Sequence, residues 1–233
     1  MHMLEAIRLT KSYGGHTALD GLDLTVSRGE VFCLLGQNGA GKTTTINIFL
    51  GFIPPTSGTA CINGVEVAVN GQEAKKHLAY IPEVVMLYGN LSGLENLDYF
   101  SRLAGFRYPT ETLSRFLSKA GLQKEAQGKK LVTYSKGMRQ KVGIAIALAK
   151  NAEVILMDEP TSGLDPKATA EFTSIVQSLA AEGKSVLMAT HDIFNAVNVG
   201  TRIGIMKQGR LVHTLDTRSI SANALQELYL ETI

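Results

Sequence analysis

The run Val31-Phe32-Cys33-Leu34-Leu35 is apolar at every position and feeds straight into Gly36-Gln37-Asn38-Gly39-Ala40-Gly41-Lys42-Thr43, after which Thr44-Thr45-Ile46-Asn47-Ile48-Phe49-Leu50 continues as a helix-like stretch. A short continuous apolar run bounded by turn residues reads as a buried strand. Strand, glycine-rich loop and helix in that order constrain the fold, because phosphate can sit against a backbone only where no side chain blocks it. Gly36, Gly39 and Gly41 let successive N–H groups turn inward, and the following helix adds its free N–H groups and positive dipole end. Lys42 brings a full charge toward the terminal phosphates, and Gln37, Asn38, Ala40 and Thr44 complete the phosphate-binding set. The Thr43 hydroxyl is a hard oxygen ligand suited to Mg²⁺.

At 233 residues the chain is long enough for one large α/β domain with an inserted subdomain and a proper core. Its 23 basic and 21 acidic residues are interspersed, for a net charge of +2. No sustained basic stripe results, which argues against nucleic acid as a partner. Cys33 and Cys61 sit in apolar strand-like contexts without metal-ligand spacing, as reduced thiols of a cytosolic protein do. The most apolar window, Val142 to Leu156, is broken by Lys150, Asn151 and Glu153, so the expectation is a chain that meets a membrane only through a partner. Met1-His2-Met3 lacks the charged-then-apolar build-up of a signal peptide; Met1 and His2 read as a cloning remnant, and the domain is taken to begin at Met3.

Leu4 to Glu30 alternates as two antiparallel strands joined by a loop holding Tyr13-Gly14-Gly15, and a loop aromatic there can stack on a base. Thr59 to Val69 reads as a hairpin about Asn63-Gly64, and Ala79-Tyr80-Ile81 as a short strand stopped by Pro82 with Glu83 behind it. From Val84 to Ala149 the character turns helical: a capping box at Ser92 and Glu95, a helix from Pro109-Thr110 ended by Gly121, and a third opened by Ser135. Val154 to Met157 and Val186 to Ala189 read as buried parallel strands, with a helix between them capped by Asp165. A final hairpin turns at Gln208-Gly209, and Ser221 to Leu230 makes a terminal helix.

Asp158-Glu159 closes one of those buried strands, and in open parallel sheets ligands gather at strand ends. Asp158 is expected to hold Mg²⁺ opposite Thr43, and Glu159 to orient or deprotonate a water aimed at the γ-phosphate. An acidic pair at a strand end is usually a solvated loop or a helix cap, but a phosphate loop in the same chain favours the chemical role. His191 follows the strand Val186 to Thr190 and can donate a hydrogen bond to the γ-phosphate.

Gly36 to Thr43, Tyr13 upstream, Tyr134-Ser135-Lys136-Gly137-Met138-Arg139-Gln140, Val154 to Pro160, Ser162-Gly163-Leu164-Asp165 and His191 resemble, in order, the motif set of an ATP-binding cassette (ABC) transporter ATPase. The resemblance runs from Leu4 to about Leu215. It implies an α/β P-loop NTPase with a mostly parallel central sheet, an N-terminal antiparallel β subdomain and a helical subdomain inserted over about 84–150. It further implies ATP and Mg²⁺ as ligands, Tyr13 as the adenine-stacking aromatic, Glu159 as the catalytic carboxylate and His191 as the switch histidine. Ser135 and Gly137 would touch the γ-phosphate bound to a second copy or a paired homologous cassette. The expected partners are integral-membrane permease subunits, with the chain peripheral on the cytoplasmic face of the inner or plasma membrane. A soluble cassette ATPase driving assembly, as in iron–sulfur scaffolding, is the alternative that keeps the same site.

Two motifs depart from the usual pattern. Tyr134, Lys136 and Met138 replace the common residues of Leu-Ser-Gly-Gly-Gln, and Glu83 stands where a glutamine normally reaches Mg²⁺. A carboxylate can also ligate Mg²⁺, so Glu83 joins Thr43 and Asp158 as an expected metal ligand. Both departures resemble the exporter branch: drug, antibiotic, sodium and copper-site-maturation systems.

Overall fold

A computed structural model describes residues 2–233. The chain opens with β1 (His2–Tyr13) and β2 (His16–Ser27), then β3 (Val31–Leu35), α1 (Lys42–Phe49), β4 (Ser57–Ile62), β5 (Val65–Glu66), α2 (Gly71–Lys76) and β6 (Leu78–Ile81). The helical stretch follows: α3 (Gly93–Leu103), α4 (Thr110–Lys119), α5 (Lys124–Gln127), one 3₁₀ turn at Leu131–Thr133, and α6 (Lys136–Ala149). Then come β7 (Val154–Asp158), α7 (Pro166–Ala181), β8 (Ser185–Thr190), α8 (Ile193–Val199), β9 (Arg202–Lys207), β10 (Arg210–Asp216), a second 3₁₀ turn at Thr217–Ser219 and α9 (Ala222–Thr232).

These strands make an antiparallel sheet in the order β2-β1-β4-β5 and a six-stranded sheet in the order β10-β9-β3-β8-β7-β6. In the larger sheet β9, β3, β8, β7 and β6 run parallel, and only β10 is antiparallel. The apolar runs explain this. Every residue of β3 is buried, and successive side chains point to opposite faces. Val31, Cys33 and Leu35 join Ile155, Met157, Val186 and Met188 in one core, which continues into the helical stretch through Leu97, Leu117 and Ile144. Phe32 and Leu34 join Leu156, Leu187 and Ala189 in the other, between the two sheets and around Ile46 and Phe49 of α1. A strand with apolar neighbours on both faces cannot alternate, so its sequence is continuous. Burial also pushes the Cys33 thiol up to about 12, which makes it inert.

The hairpin turns at Asn63-Gly64 and Gln208-Gly209 form as the sequence indicates, each with two residues at positive φ. His2, which precedes the expected domain start, pairs with Ser27 in β1. Three details differ from the sequence reading. Tyr13 is not in a loop but ends β1, opposite His16. The hairpin from Thr59 stops at Glu66, and the chain then enters α2, capped by Asn70 through the Glu73 N–H. α5 also escapes the sequence pattern, since four residues are too few to show a period.

The capping box at the start of α3 is present in both directions: Ser92 Oγ accepts from Glu95 N at 3.2 Å, and Ser92 N donates to Glu95 Oε2 at 2.7 Å. Ser92→Ala is therefore expected to cost about 1 kcal/mol. Urea unfolding checks it as a lower midpoint with an unchanged slope.

Candidate functional site

The parallel register gathers the site. Leu35 lies opposite Thr190, Asp158 opposite Ala189, and Ile81 opposite Met157. The residues that follow these strand ends, Gly36, His191, Glu159 and Pro82-Glu83, therefore leave the sheet along one edge. That edge is the carboxyl end of the parallel strands, where the chain must turn away and side chains are free to converge.

At its centre is the loop 36–43. Two of its glycines are needed for different reasons. A Cβ on Gly36 would lie 2.8 Å from the Met206 carbonyl oxygen, whereas Gly41 adopts φ +110° and a Cβ there would also meet the Ala18 carbonyl oxygen at 2.7 Å. Gln37, Asn38, Gly39 and Ala40 form the turn, closed by Ala40 N to Gln37 O at 3.1 Å. α1 begins at Lys42 with Gly41 as its N-cap, so no side chain occupies the helix's free N–H groups. Thr44 follows on the first turn. The buried Lys42 ammonium donates to the carbonyls of Gly36 and Gln37. Burial lowers its pKa, against the pull of Glu159 and Asp158.

Thr43 Oγ1 donates to Asp158 Oδ2 at 3.2 Å, bringing together two predicted metal ligands. Burial raises the Asp158 pKa, and the charges of Glu159 and Glu83 add to it, while the Thr43 hydrogen bond and Lys42 oppose the shift. A hydroxyl and an under-compensated carboxylate suit a hard divalent cation that keeps water and phosphate oxygens as its other ligands. Among the described residues no group of three or more His, Cys, Asp or Glu side chains forms a metal cage of its own.

The Asp158 shift has a testable sign. A carboxyl whose pKa is raised on folding contributes stability below its ordinary value near 3.8, and loses it as pH rises through the folded value. At pH 7 the ionised group therefore costs stability. Asp158→Asn keeps an acceptor for Thr43 without the charge, so the nucleotide-free variant is expected to melt higher than the parent at pH 7, with the gap closing toward pH 4. A lower melting point at pH 7 contradicts this.

Glu159 and His191 meet directly: His191 Nδ1 lies 2.8 Å from Glu159 Oε2, and the His191 N–H donates to the same oxygen at 3.3 Å. Glu159 holds a left-handed backbone, φ +45°, fixed by its N–H on the Ala189 carbonyl at 2.9 Å and by Ser162 N on its own carbonyl at 3.1 Å. Non-glycine residues in this region carry strain of order 1–3 kcal/mol, and such strain concentrates at working sites. Here it turns the carboxylate from the strand end toward His191.

Tyr13, Ser135 and Gly137 lie elsewhere. Tyr13 is 46% exposed on the antiparallel sheet, with Lys11 Nζ 4.9 Å from its ring centroid. Ser135 caps α6 by accepting from Met138 N, and Gly137 packs near Ala168 and Leu164. Both line a cavity of about 250 Å³ between α6 and the start of α7. Glu83 is on the strand-end edge, where its Oε1 accepts from Ser162 Oγ at 2.9 Å and lies 3.6 Å from Lys136 Nζ.

Two supporting groups, one inside the Tyr134 to Gln140 stretch, have partners that the sequence does not announce. Gln140, 1% exposed, donates to the carbonyls of Pro82 and Glu83 and so ties α6 to the end of β6. Asn195 donates to Thr161 Oγ1 at 3.2 Å and accepts from Thr173 Oγ1 at 2.9 Å, linking the turn after Glu159 to the helix after His191. A polar residue at a buried helical phase, such as Gln140 four before Ile144, is the signal that marks this kind of group in a sequence. Of the apolar run after Glu83, Val85 and Leu87 pack into the core while Val84, Met86 and Tyr88 stay exposed.

The family model described as ABC transporter matches residues 19–162. The chain is 35% identical over 212 residues to the probable multidrug ABC transporter ATP-binding protein YbhF of Escherichia coli, an alignment covering 90% of this chain and 36% of that protein. It is 36% identical over 215 residues to the bacitracin transport ATP-binding protein BcrA of Bacillus licheniformis, covering 91% of this chain and 69% of that protein. It thus spans about a third of the first relative's length. Among solved structures, an ATP-binding subunit of an ABC transporter matches with a TM-score of 0.82 at 31% identity, covering 98% of each chain. The dimeric structure of the bacterial ABC transporter cassette MJ0796 matches with a TM-score of 0.82 at 29% identity, covering 94% of this chain and 100% of that one.

Proposed function

Because this chain belongs to the ABC transporter family, we propose that it is the ATP-hydrolysing subunit of an exporter and drives a membrane permease by dimerising on ATP. From Met3 on it acts as one cassette, with the helical stretch as its inserted subdomain. The observation that carries this reading is the split between two phosphate-facing surfaces. Gly36 to Thr43, Asp158, Glu159 and His191 share one strand-end edge, while Ser135 and Gly137 face a separate cavity beside α7. In this reading a phosphate held by the first set meets Ser135 and Gly137 of a second copy.

In this reading the loop N–H groups and Lys42 bind the triphosphate, and Tyr13 stacks on the adenine, releasing Lys11 from its ring. Thr43 and Asp158, joined by Glu83, would hold Mg²⁺, which when bound neutralises charge on the phosphates. Glu159 accepts the proton of the attacking water, and His191 holds Glu159 in place and donates to the γ-phosphate. Ser135 and the free N–H groups at the start of α6 receive the γ-phosphate of the partner copy. ATP joins the two faces and ADP leaves the second unpaired, which is the differential affinity a conformational stroke requires.

Among the described residues no helix is long and apolar enough to cross a membrane. The exposed Val84, Met86 and Tyr88, beside the helical stretch, are the proposed permease contacts, on the cytoplasmic face of the membrane. The names of relatives that handle drugs and bacitracin support export over assembly work. Light scattering of the chain with Mg²⁺ and a non-hydrolysable ATP analogue, and with Mg·ADP, tests the reading. A mass doubling with the analogue alone is expected, and a monomer under both conditions overturns it.

A further inference from the structure

Two of the positions at which this chain departs from the common pattern, Glu83 and Lys136, are neighbours in space. Glu83 leaves the end of β6, and Lys136 is the first residue of α6; their charged groups lie 3.6 Å apart. The same Glu83 oxygen accepts the Ser162 hydroxyl at 2.9 Å, and Lys136 Nζ also approaches Gly163. Lys136 and Gln140 are one helical turn apart on the same face of α6, and both hold the 82–83 segment: Gln140 by its backbone carbonyls, Lys136 by its side chain. Three pieces of the site are thereby joined at one carboxylate: the segment leaving β6, the turn after Glu159 and the start of α6.

We propose that Lys136 is a positioning residue for Glu83 and competes with a divalent cation for its carboxylate, so that metal loading releases the clasp between α6 and the segment after β6. The metal half of this rests on the nucleotide site proposed above. The charges set the direction. Ile81 pairs with Met157, so Glu83 and Asp158 stand at neighbouring strand ends, and the Glu83 charge adds to the upward push on the Asp158 carboxyl; the cation site and Lys136 thus draw on one negative group. The pair is partly exposed, with side-chain exposures of 32% for Lys136 and 50% for Glu83. Ion pairs of that kind shift an equilibrium by only about two- to fivefold, weak enough for a divalent cation to displace.

Two measurements test it. In the nucleotide-free protein, hydrogen exchange of the 82–88 backbone is expected to speed up in Lys136→Met and in Glu83→Gln, with the double variant no faster than either alone and Lys136→Arg like the parent. Unchanged exchange in Lys136→Met overturns the clasp. With a non-hydrolysable ATP analogue bound, Mn²⁺ affinity followed by electron paramagnetic resonance is expected to tighten about two- to fivefold in Lys136→Met and not at all when the same change is made in Glu83→Gln. No tightening, or an equal tightening in both backgrounds, overturns the competition while leaving the nucleotide site standing. Failure of the parent protein to bind the analogue overturns the site and the competition together.

Discussion

Lys42→Ala is expected to lower nucleotide affinity by at least about 100-fold, equivalent to about 3 kcal/mol. Lys42 is buried at the edge where the parallel strands end, and its ammonium rests on the carbonyls of Gly36 and Gln37. Burial already disfavours its charge, so the group gains most when a polyanion arrives to compensate it. Its loss also leaves Asp158 and Glu159 without the neighbouring positive charge that acts on them, and their repulsion of phosphate adds to the missing attraction. The loop loses the Lys42 bonds to Gly36 and Gln37, but α1 still starts from the Gly41 conformation and the Ala40 N–H still closes the turn on the Gln37 carbonyl. Calorimetric titration with ATP checks the outcome, alongside thermal unfolding to show that the variant is folded. An affinity equal to the parent's removes the phosphate-loop assignment.

The central strands are legible in the sequence because burial on both faces makes β3, β7 and β8 short continuous apolar runs set between turn residues, whereas the apolar run Val142 to Ala149 belongs to the longer, Ser135-capped α6. Caps are legible for a similar reason: Ser92 with Glu95, Ser135 and Asp165 all accept the N–H groups that their positions announce. α2 is not, since its six residues begin with glycine and its stability comes from the Asn70 cap and from contacts with β5 and β6. The end of β1 at Tyr13 is hidden by Gly14-Gly15, whose turn is tight enough for the ladder to run up to it.

Within the site, the groups that follow strand ends could be placed together from order alone, because a parallel register brings consecutive strand ends to one edge. What order cannot supply is which way a side chain turns. Glu83 follows β6 as expected, yet its carboxylate finds Ser162, 79 positions later, and Lys136. The partners of Gln140 and Asn195 are likewise backbone and side-chain atoms that only the packed helices bring within reach. Residue type and spacing identify donors and acceptors; the hydrogen-bond partner is settled by tertiary packing.

Glu159→Gln is expected to keep ATP binding near the parent level, lower steady-state turnover by about 100- to 10,000-fold and leave an ATP-loaded dimer that does not dissociate. The amide fills the carboxylate's space, keeps an oxygen for the His191 N–H and preserves the turn held by Ala189 and Ser162. It cannot accept the proton of an attacking water, so the chemical step loses its base. The same change removes a negative charge that pushes the Asp158 pKa upward, which eases the crowding of carboxylates around a bound triphosphate. Both effects act in one direction: the closed, loaded state becomes more stable, and its exit by hydrolysis becomes slower. Size-exclusion chromatography with light scattering after addition of Mg·ATP would register the persistent dimer, and phosphate release would register the lost turnover. Steady-state hydrolysis close to the parent rate would take the proton-accepting role away from Glu159, and a dimer that dissolved as fast as the parent's would show that bond cleavage is not what reopens it.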